Sequence, residues 1–380
     1  MTQKPAKKKK EKLKRKYGHS KLTGNLLGPS KGTGVPGHVD LPWSCAIYSI
    51  VNWMHAFQDV EGIQVMCLRV LPFLLEDETQ RTTAQRAGLT DIVLRSMVLF
   101  PNSIELHTAS FHTIVLLARP LGGREGMLFH SAMVNASGIF NVGSATGKNG
   151  IAVMIDSMRR FADDEVLQAM SCWSMVNIAL IPSQKVILVK LGGIMVAADA
   201  MMRHPYNAEV QFRALFALIN LVIPSDNEED VSPEAMKDLG VEDMTEREIL
   251  DENVNQITNL VVVAMKNFCS SEAILNRACL VLHNLSLNER YHTALLWTPN
   301  CYQMLEWCIG NYQHDQVLQH SAVGTLQRLQ ATLANDPDIR VRFSETIRVQ
   351  QQNSLDQTQR DAAFLREQQF QIRNNLNLEE

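Results

Sequence analysis

Two stretches, AMSCWSMVNIAL at 169–180 and RALFALINL at 213–221, decide the fold. Laid over one another at an offset of 43, they put Ser171 on Ala214, Trp173 on Phe216, Asn177 on Asn220 and Ile178 on Leu221. The agreement extends upstream. Gly150 and Ile151 fall on Gly193 and Ile194, Met158 on Met201 and Gln168 on Gln211, while Val166 lies one place out of register with Val210. A step of 64 then carries Met201 to Met265, Ala214 to Ala278, Phe216 to Leu280, Asn220 to Asn284 and Leu221 to Leu285. A further 44 brings Ala278 to Ala322, Leu282 to Leu326 and Leu285 to Leu329. Counting back 104, Met201 lands on Met97, Pro205 on Pro101 and Leu218 on Ile114.

A period of 43 to 44 built from small, apolar and helix-compatible residues is the pattern of stacked helix pairs or triplets. One unit cannot bury its apolar face alone. Stacking lets Ala214, Leu218, Leu221 and their equivalents share one core. The expected fold is an all-α solenoid of about five to six units at 41–85, 86–120, 150–182, 185–224, 249–290 and 293–334, spanning 41–335 in all. Inserted loops are expected at 121–149 and 225–248, and Pro101 and Pro205 mark turns between helices. Residues 1–40 combine a lysine run with glycine and proline and are expected to be disordered. Residues 336–380, rich in Gln, Asn, Arg and Glu, suit a polar helix that caps the solenoid or meets a partner.

Composition agrees with helices packing on helices: 46% of residues are hydrophobic, only 6% are aromatic, and there are 17 methionines. The formal charge of −4 hides two opposed tracts. Residues 1–21 hold ten Lys or Arg against one acid, whereas 226–252 hold twelve acids against two bases. No apolar run reaches the roughly 18 to 20 residues of a membrane span, and the N-terminus lacks the apolar core of a secretory signal. The seven cysteines are dispersed, mostly among apolar neighbours, and buried free thiols in a reducing compartment are the simplest reading. Cytoplasm or nucleus is the expected location, without membrane insertion.

The 169–180 and 213–221 stretches resemble the third helix of an armadillo repeat, and Leu191-Gly-Gly-Ile followed by Met201, His204-Pro205 and Val210-Gln211 resembles the start of one. The resemblance covers about residues 86–334. It implies a right-handed superhelix, an α-solenoid whose third helices line a concave groove, where asparagines hold the backbone of an extended peptide and tryptophans one turn earlier wall side-chain pockets. Asn177, Asn220 and Asn284 match the asparagine position and Trp173 the tryptophan. Phe216 and Leu280 stand where tryptophan would be expected, and Leu116 and Arg328 replace the asparagine, which departs from a nuclear-import receptor and leaves general peptide or protein binding.

The residues themselves support that chemistry. An asparagine four places after an aromatic shares its helical face, and its amide can donate to and accept from a peptide backbone at once. The other reading is that these amides bond neighbouring helix ends and stabilise the stack. The candidate groove is therefore Trp173, Asn177, Phe216, Asn220 and Asn284, and the expected function is a protein-binding scaffold. The run Lys7, Lys8, Lys9, Lys10, Lys12, Lys14, Arg15 and Lys16 suits a localisation signal, a polyanion contact or an arm that folds back on the acidic tract. A nucleic-acid-associated or large-assembly subunit tethered by this tail is the alternative.

Other motifs carry less. Gly143-Ser-Ala-Thr-Gly-Lys-Asn149 has one residue too few between its glycines for a phosphate loop and no Ser or Thr after the lysine. His107 and His112 lie five apart, off one helical face, and no Cys-x-x-Cys occurs. Cys301 and Cys308 could share a helix face but are only two ligands. Asp163-Asp164 reads as a turn or cap. No nucleophile–base arrangement is found, so neither catalysis nor a cofactor or metal is expected.

Overall fold

The repeated register becomes a repeated helix triplet in the computed structural model, which describes residues 43–121, 126, 127, 129, 133, 149–224 and 244–352. The chain divides into units 1–46 and 47–380. Only 43–46 of the first unit are described, and the following concerns the second.

The opening pair is α1 (Trp43–Ala56) and α2 (Glu61–Leu74). Next come α3 (Glu78–Arg86), α4 (Leu89–Leu99) and α5 (Ile104–Leu117). The unit that follows holds α6 (Gly150–Arg160) and α7 (Glu165–Ile178). It is succeeded by α8 (Pro182–Lys190), α9 (Gly193–Arg203) and α10 (Ala208–Leu221). Beyond the acidic insertion lie α11 (Glu246–Asn267) and α12 (Glu272–Ser286), and then α13 (His292–Trp297), α14 (Cys301–Asn311) and α15 (Gln316–Asn335). A further helical run covers 337–352. No strand occurs among the described residues.

The helix starts follow from capping chemistry. A short polar side chain placed before the first turn accepts an amide N–H that has no partner inside the helix. Asp164 accepts from Leu167 N at 2.7 Å, Asn207 from Val210 N at 3.0 Å and Ser103 from Leu106 N at 3.3 Å, starting α7, α10 and α5. Asn149 starts α6 by accepting from Ala152 N at 2.7 Å. Thr245 and Glu248 form a reciprocal capping box at α11.

Two ladders of packing run through the molecule. The last helices of successive units pack in series, α2 on α5, α5 on α7, α7 on α10, α10 on α12 and α12 on α15. The preceding helices form a second series, α4, α6, α9, α11 and α14. Ser110, Ser171, Ala214, Ala278 and Ala322 occupy one register position on the last helices and are fully buried. Side chains this small let neighbouring helices approach closely. Leu218, Leu282, Leu285 and Leu329 fill the interior beside them.

A second repeated device ties each pair of helices together. Gln168 Nε2 donates to Met158 O and Phe161 O at 2.9 and 3.1 Å, joining α7 to the end of α6. Gln211 does the same to Met201 O and His204 O, Gln64 to Met54 O and Phe57 O, and Gln319 to Ile309 O and Tyr312 O. His107 takes the place in the second unit, its Nε2 lying 3.1 Å from Met97 O. Leu275 takes it in the α12 unit.

The expected unit boundaries need correction. The short helix α3 packs on α4 and α5, so it opens the second unit and does not close the first at residue 85. Inside 121–149, expected to be an inserted loop, Gly126, Met127, Phe129 and Met133 are helical, and Phe129 and Met133 are buried. α11 begins at Glu246, inside the stretch assigned to the second loop. Leu191-Gly-Gly-Ile is the turn between a first and a second helix: Gly192 has φ +99°, and a Cβ on Gly193 would lie 2.7 Å from Leu188 O.

Candidate binding face along the third helices

Residues spaced by about one turn line up on one side of each third helix. On α7 they are Met170, Trp173 and Asn177, and on α10 Arg213, Phe216 and Asn220. On α12 they are Arg277, Leu280 and Asn284, and on α15 Gly324 and Arg328. Every one of these is half-buried, anchored on the stack yet reachable from solvent. The five groove residues read from sequence therefore share one register across three consecutive third helices.

The asparagines are not equivalent in what they bond. Asn177 Nδ2 donates to Val115 O on α5 at 2.9 Å, and Asn284 Nδ2 donates to Ile219 O on α10 at 2.9 Å. These two amides stitch each third helix to the one before it, as the stacking alternative anticipated, and their Oδ1 atoms have no donor among the described residues. Arg328 reaches back in the same sense, from Nη1 to Ser286 Oγ on α12 at 3.3 Å. Asn220 has no hydrogen-bond partner among the described residues. Its whole amide is available.

The aromatic positions hold a feature the period alone did not reveal. The Arg213 guanidinium lies over Trp173, 3.7 Å from the ring centroid, and is ion-paired with Glu209 one turn earlier. One unit on, Arg277 lies over Phe216 at 4.7 Å and Phe212 at 5.3 Å. Each arginine thus covers the aromatic side chain of the preceding third helix, a cation–π contact worth about 0.5–1 kcal/mol where solvent reaches it. The Trp173 ring is thus partly covered by the chain's own Arg213. The signal was present in the step of 64 that carries Arg213 to Arg277, but Met170 breaks it one unit earlier.

At the other end of the series a surface recess of ≈ 500 Å³ crosses α2, α5 and α7, lined by residues that include Arg69, Phe73, Glu105, Thr108, His112 and Val166. Arg69 and Glu105 pair across it at 2.6 Å. A second recess of ≈ 460 Å³ between α1 and α2 is almost wholly apolar, with Trp53 and Met66 60% and 69% exposed.

Solved structures decide the architecture. The chain is similar to an engineered protein with TM-score 0.53 and 16% identity, over 75% of this chain and 97% of that one. A designed armadillo repeat protein matches with TM-score 0.51 and 15% identity over 74% and 99%. Another, in complex with the peptide (KR)4, matches with TM-score 0.50 and 14% identity over the same shares. This is an armadillo-like repeat fold. No protein-family model and no curated protein matches the chain.

In an armadillo-like stack the remaining motifs take structural places. Asp164 is a cap and Asp163 pairs with Arg203 at 2.8 Å. His107 and Ser157 share a buried 2.6 Å hydrogen bond between units, and Cys301 and Cys308 are both buried on α14. Among the described residues there is no cluster of His, Cys, Asp or Glu able to hold a metal, and no helix long and apolar enough to cross a membrane. The lysine run from Lys7 to Lys16, Gly143 to Lys148 and the acidic residues 226–243 lie outside the described residues.

Proposed function

We propose that this chain is a non-catalytic binding scaffold of the cytoplasm or nucleus that holds an extended peptide, or an extended segment of a partner protein, along its third-helix face. The observation that carries the proposal is the in-register row of half-buried side chains Trp173–Asn177, Phe216–Asn220 and Leu280–Asn284, with the Asn220 amide unengaged. A half-buried amide offers a donor and an acceptor at the spacing of a peptide unit, and binds backbone whatever the sequence. That a similar designed armadillo repeat protein forms a complex with a peptide supports the reading. In this proposal the lysine run adds a salt-sensitive contact to polyanions and is not the principal site.

Asn220→Ala is the cleaner test, because Asn177→Ala also removes the bond to Val115 O. Affinity capture with the full chain would supply partner segments, and their binding would be measured by fluorescence anisotropy. Loss of one or two backbone bonds in Asn220→Ala is expected to weaken affinity about tenfold, with the melting temperature unchanged. Binding that survives Asn220→Ala but is lost on removal of residues 1–21 contradicts the proposal and favours a polyanion-tethered subunit.

A further inference from the structure

Arg213 and Arg277 occupy the same position on successive third helices, yet their electrostatic surroundings differ. Arg213 is ion-paired with Glu209. Arg277 has no carboxylate partner among the described residues: its Nη1 donates to Asn276 Oδ1 at 3.1 Å, and its Nε is buried with no partner. Asn276 is itself engaged, donating to Asp315 Oδ2 at 2.7 Å. Arg328, on the next third helix, also has no carboxylate partner among the described residues. Its Nη1 lies 3.3 Å from Ser286 Oγ and 3.4 Å from His283 Nδ1, and the exposed His320 ring stacks near His283 at 5.5 Å. Two half-buried cations therefore stand on one face without a carboxylate partner among the described residues. Ring stacking and neutral acceptors offset only part of the cost of desolvating them.

The shape of the face changes in the same direction. The side chain at the aromatic position shrinks along the series from Trp173 to Phe216, Leu280 and Gly324. A Cβ on Gly324 would come within 3.2 Å of His283 Cε1 and 3.3 Å of Arg328 Nη1, so the glycine keeps the approach to Arg328 open. Neighbouring helices lie about 8–10 Å apart, and an extended peptide advances about 3.3 Å per residue. Arg328 stands on the next third helix and seven residues, about two turns, beyond Ser321, the position equivalent to Arg277, so carboxylates roughly three to five residues apart would meet the two arginines.

We infer that the face from α10 to α15 takes an extended acidic peptide, with one carboxylate on Arg277 and a second on Arg328. The inference rests on the peptide-binding reading above and specifies the chemistry of the partner. A guanidinium already held by packing against a ring is pre-organised for bidentate pairing with a carboxylate. The same arrangement disfavours a lysine- or arginine-rich segment at this end of the face.

The test uses the full chain and three peptides of equal length: one with glutamate at every third position among serines, its glutamine counterpart, and one of alternating lysine and arginine. Titration by anisotropy should show the glutamate peptide binding at least tenfold tighter than the glutamine peptide. The pair Arg277→Gln and Arg328→Gln should abolish that preference, and Arg277→Lys with Arg328→Lys should restore part of it. Circular dichroism would establish that both pairs are folded. Equal binding of the glutamate and glutamine peptides overturns the inference while leaving the groove reading in place, as does an acidic preference that persists in the glutamine pair. No binding of any peptide, together with failure of the Asn220→Ala test, removes both.

Discussion

His107 occupies the place that glutamine holds in Gln64, Gln168, Gln211 and Gln319, and the exchange makes one joint of the stack sensitive to pH. Because Met97 O can only accept, Nε2 carries the proton, and Nδ1 accepts from Ser157 Oγ at 2.6 Å. Burial lowers the His107 pKa to about 4 from its ordinary 6.5, and the nearby Arg160 charge pushes the same way. The imidazole is therefore neutral in the fold. As pH falls below about 6.5 the unfolded chain takes up the proton first, so stability present above that pH is lost progressively towards pH 4. The shift corresponds to a loss on the order of 3 kcal/mol when complete. Replacing His107 with Gln should remove this dependence. Urea melts at pH 7 and pH 4.5 are expected to show the variant gaining about 2 kcal/mol on the wild type across that interval; parallel losses in both proteins would show that His107 is not the cause. At this scale the sequence was half informative. Spacing placed Asn177, Asn220 and Asn284 on one face, but could not tell that two of them also reach back to the previous helix, since that depends on where a neighbour's carbonyl comes to rest. Arg213 over Trp173 is signalled only by the match of Arg213 with Arg277, which Met170 interrupts.

Among the elements, a buried side-chain tie joins the second and third helices of a pair. Gln211 is buried, and its amide group closes two carbonyls at the end of α9. Gln211→Ala leaves both short of a partner, and the expected cost is about 2 kcal/mol of unfolding free energy, read by urea denaturation. An unchanged midpoint would mean that packing alone holds the two helices. The second and third helices were legible from the offset of 43 because their apolar residues repeat and their caps fall in register. The first helices were not. ETQRTTAQR in α3 has almost no apolar periodicity, so the boundary expected from sequence falls eight residues late, after the helix and not before it. The helical residues around Phe129 and Met133 lie in a Gly-, Ser- and Asn-rich stretch whose composition reads as loop.

For the molecule as a whole, stacking makes each unit depend on the next, and the third-helix ladder is the surface that repetition leaves exposed at equal intervals. The proposal that it is the binding surface is most directly tested by hydrogen exchange on the full chain, free and saturated with a captured partner peptide. Added amide protection is expected in 165–178, 208–221 and 272–286, centred on the turns bearing Asn177, Asn220 and Asn284, with little change in the second helices. Protection confined to 150–160, 193–203 and 246–267, with the third helices exchanging as in the free protein, would contradict it.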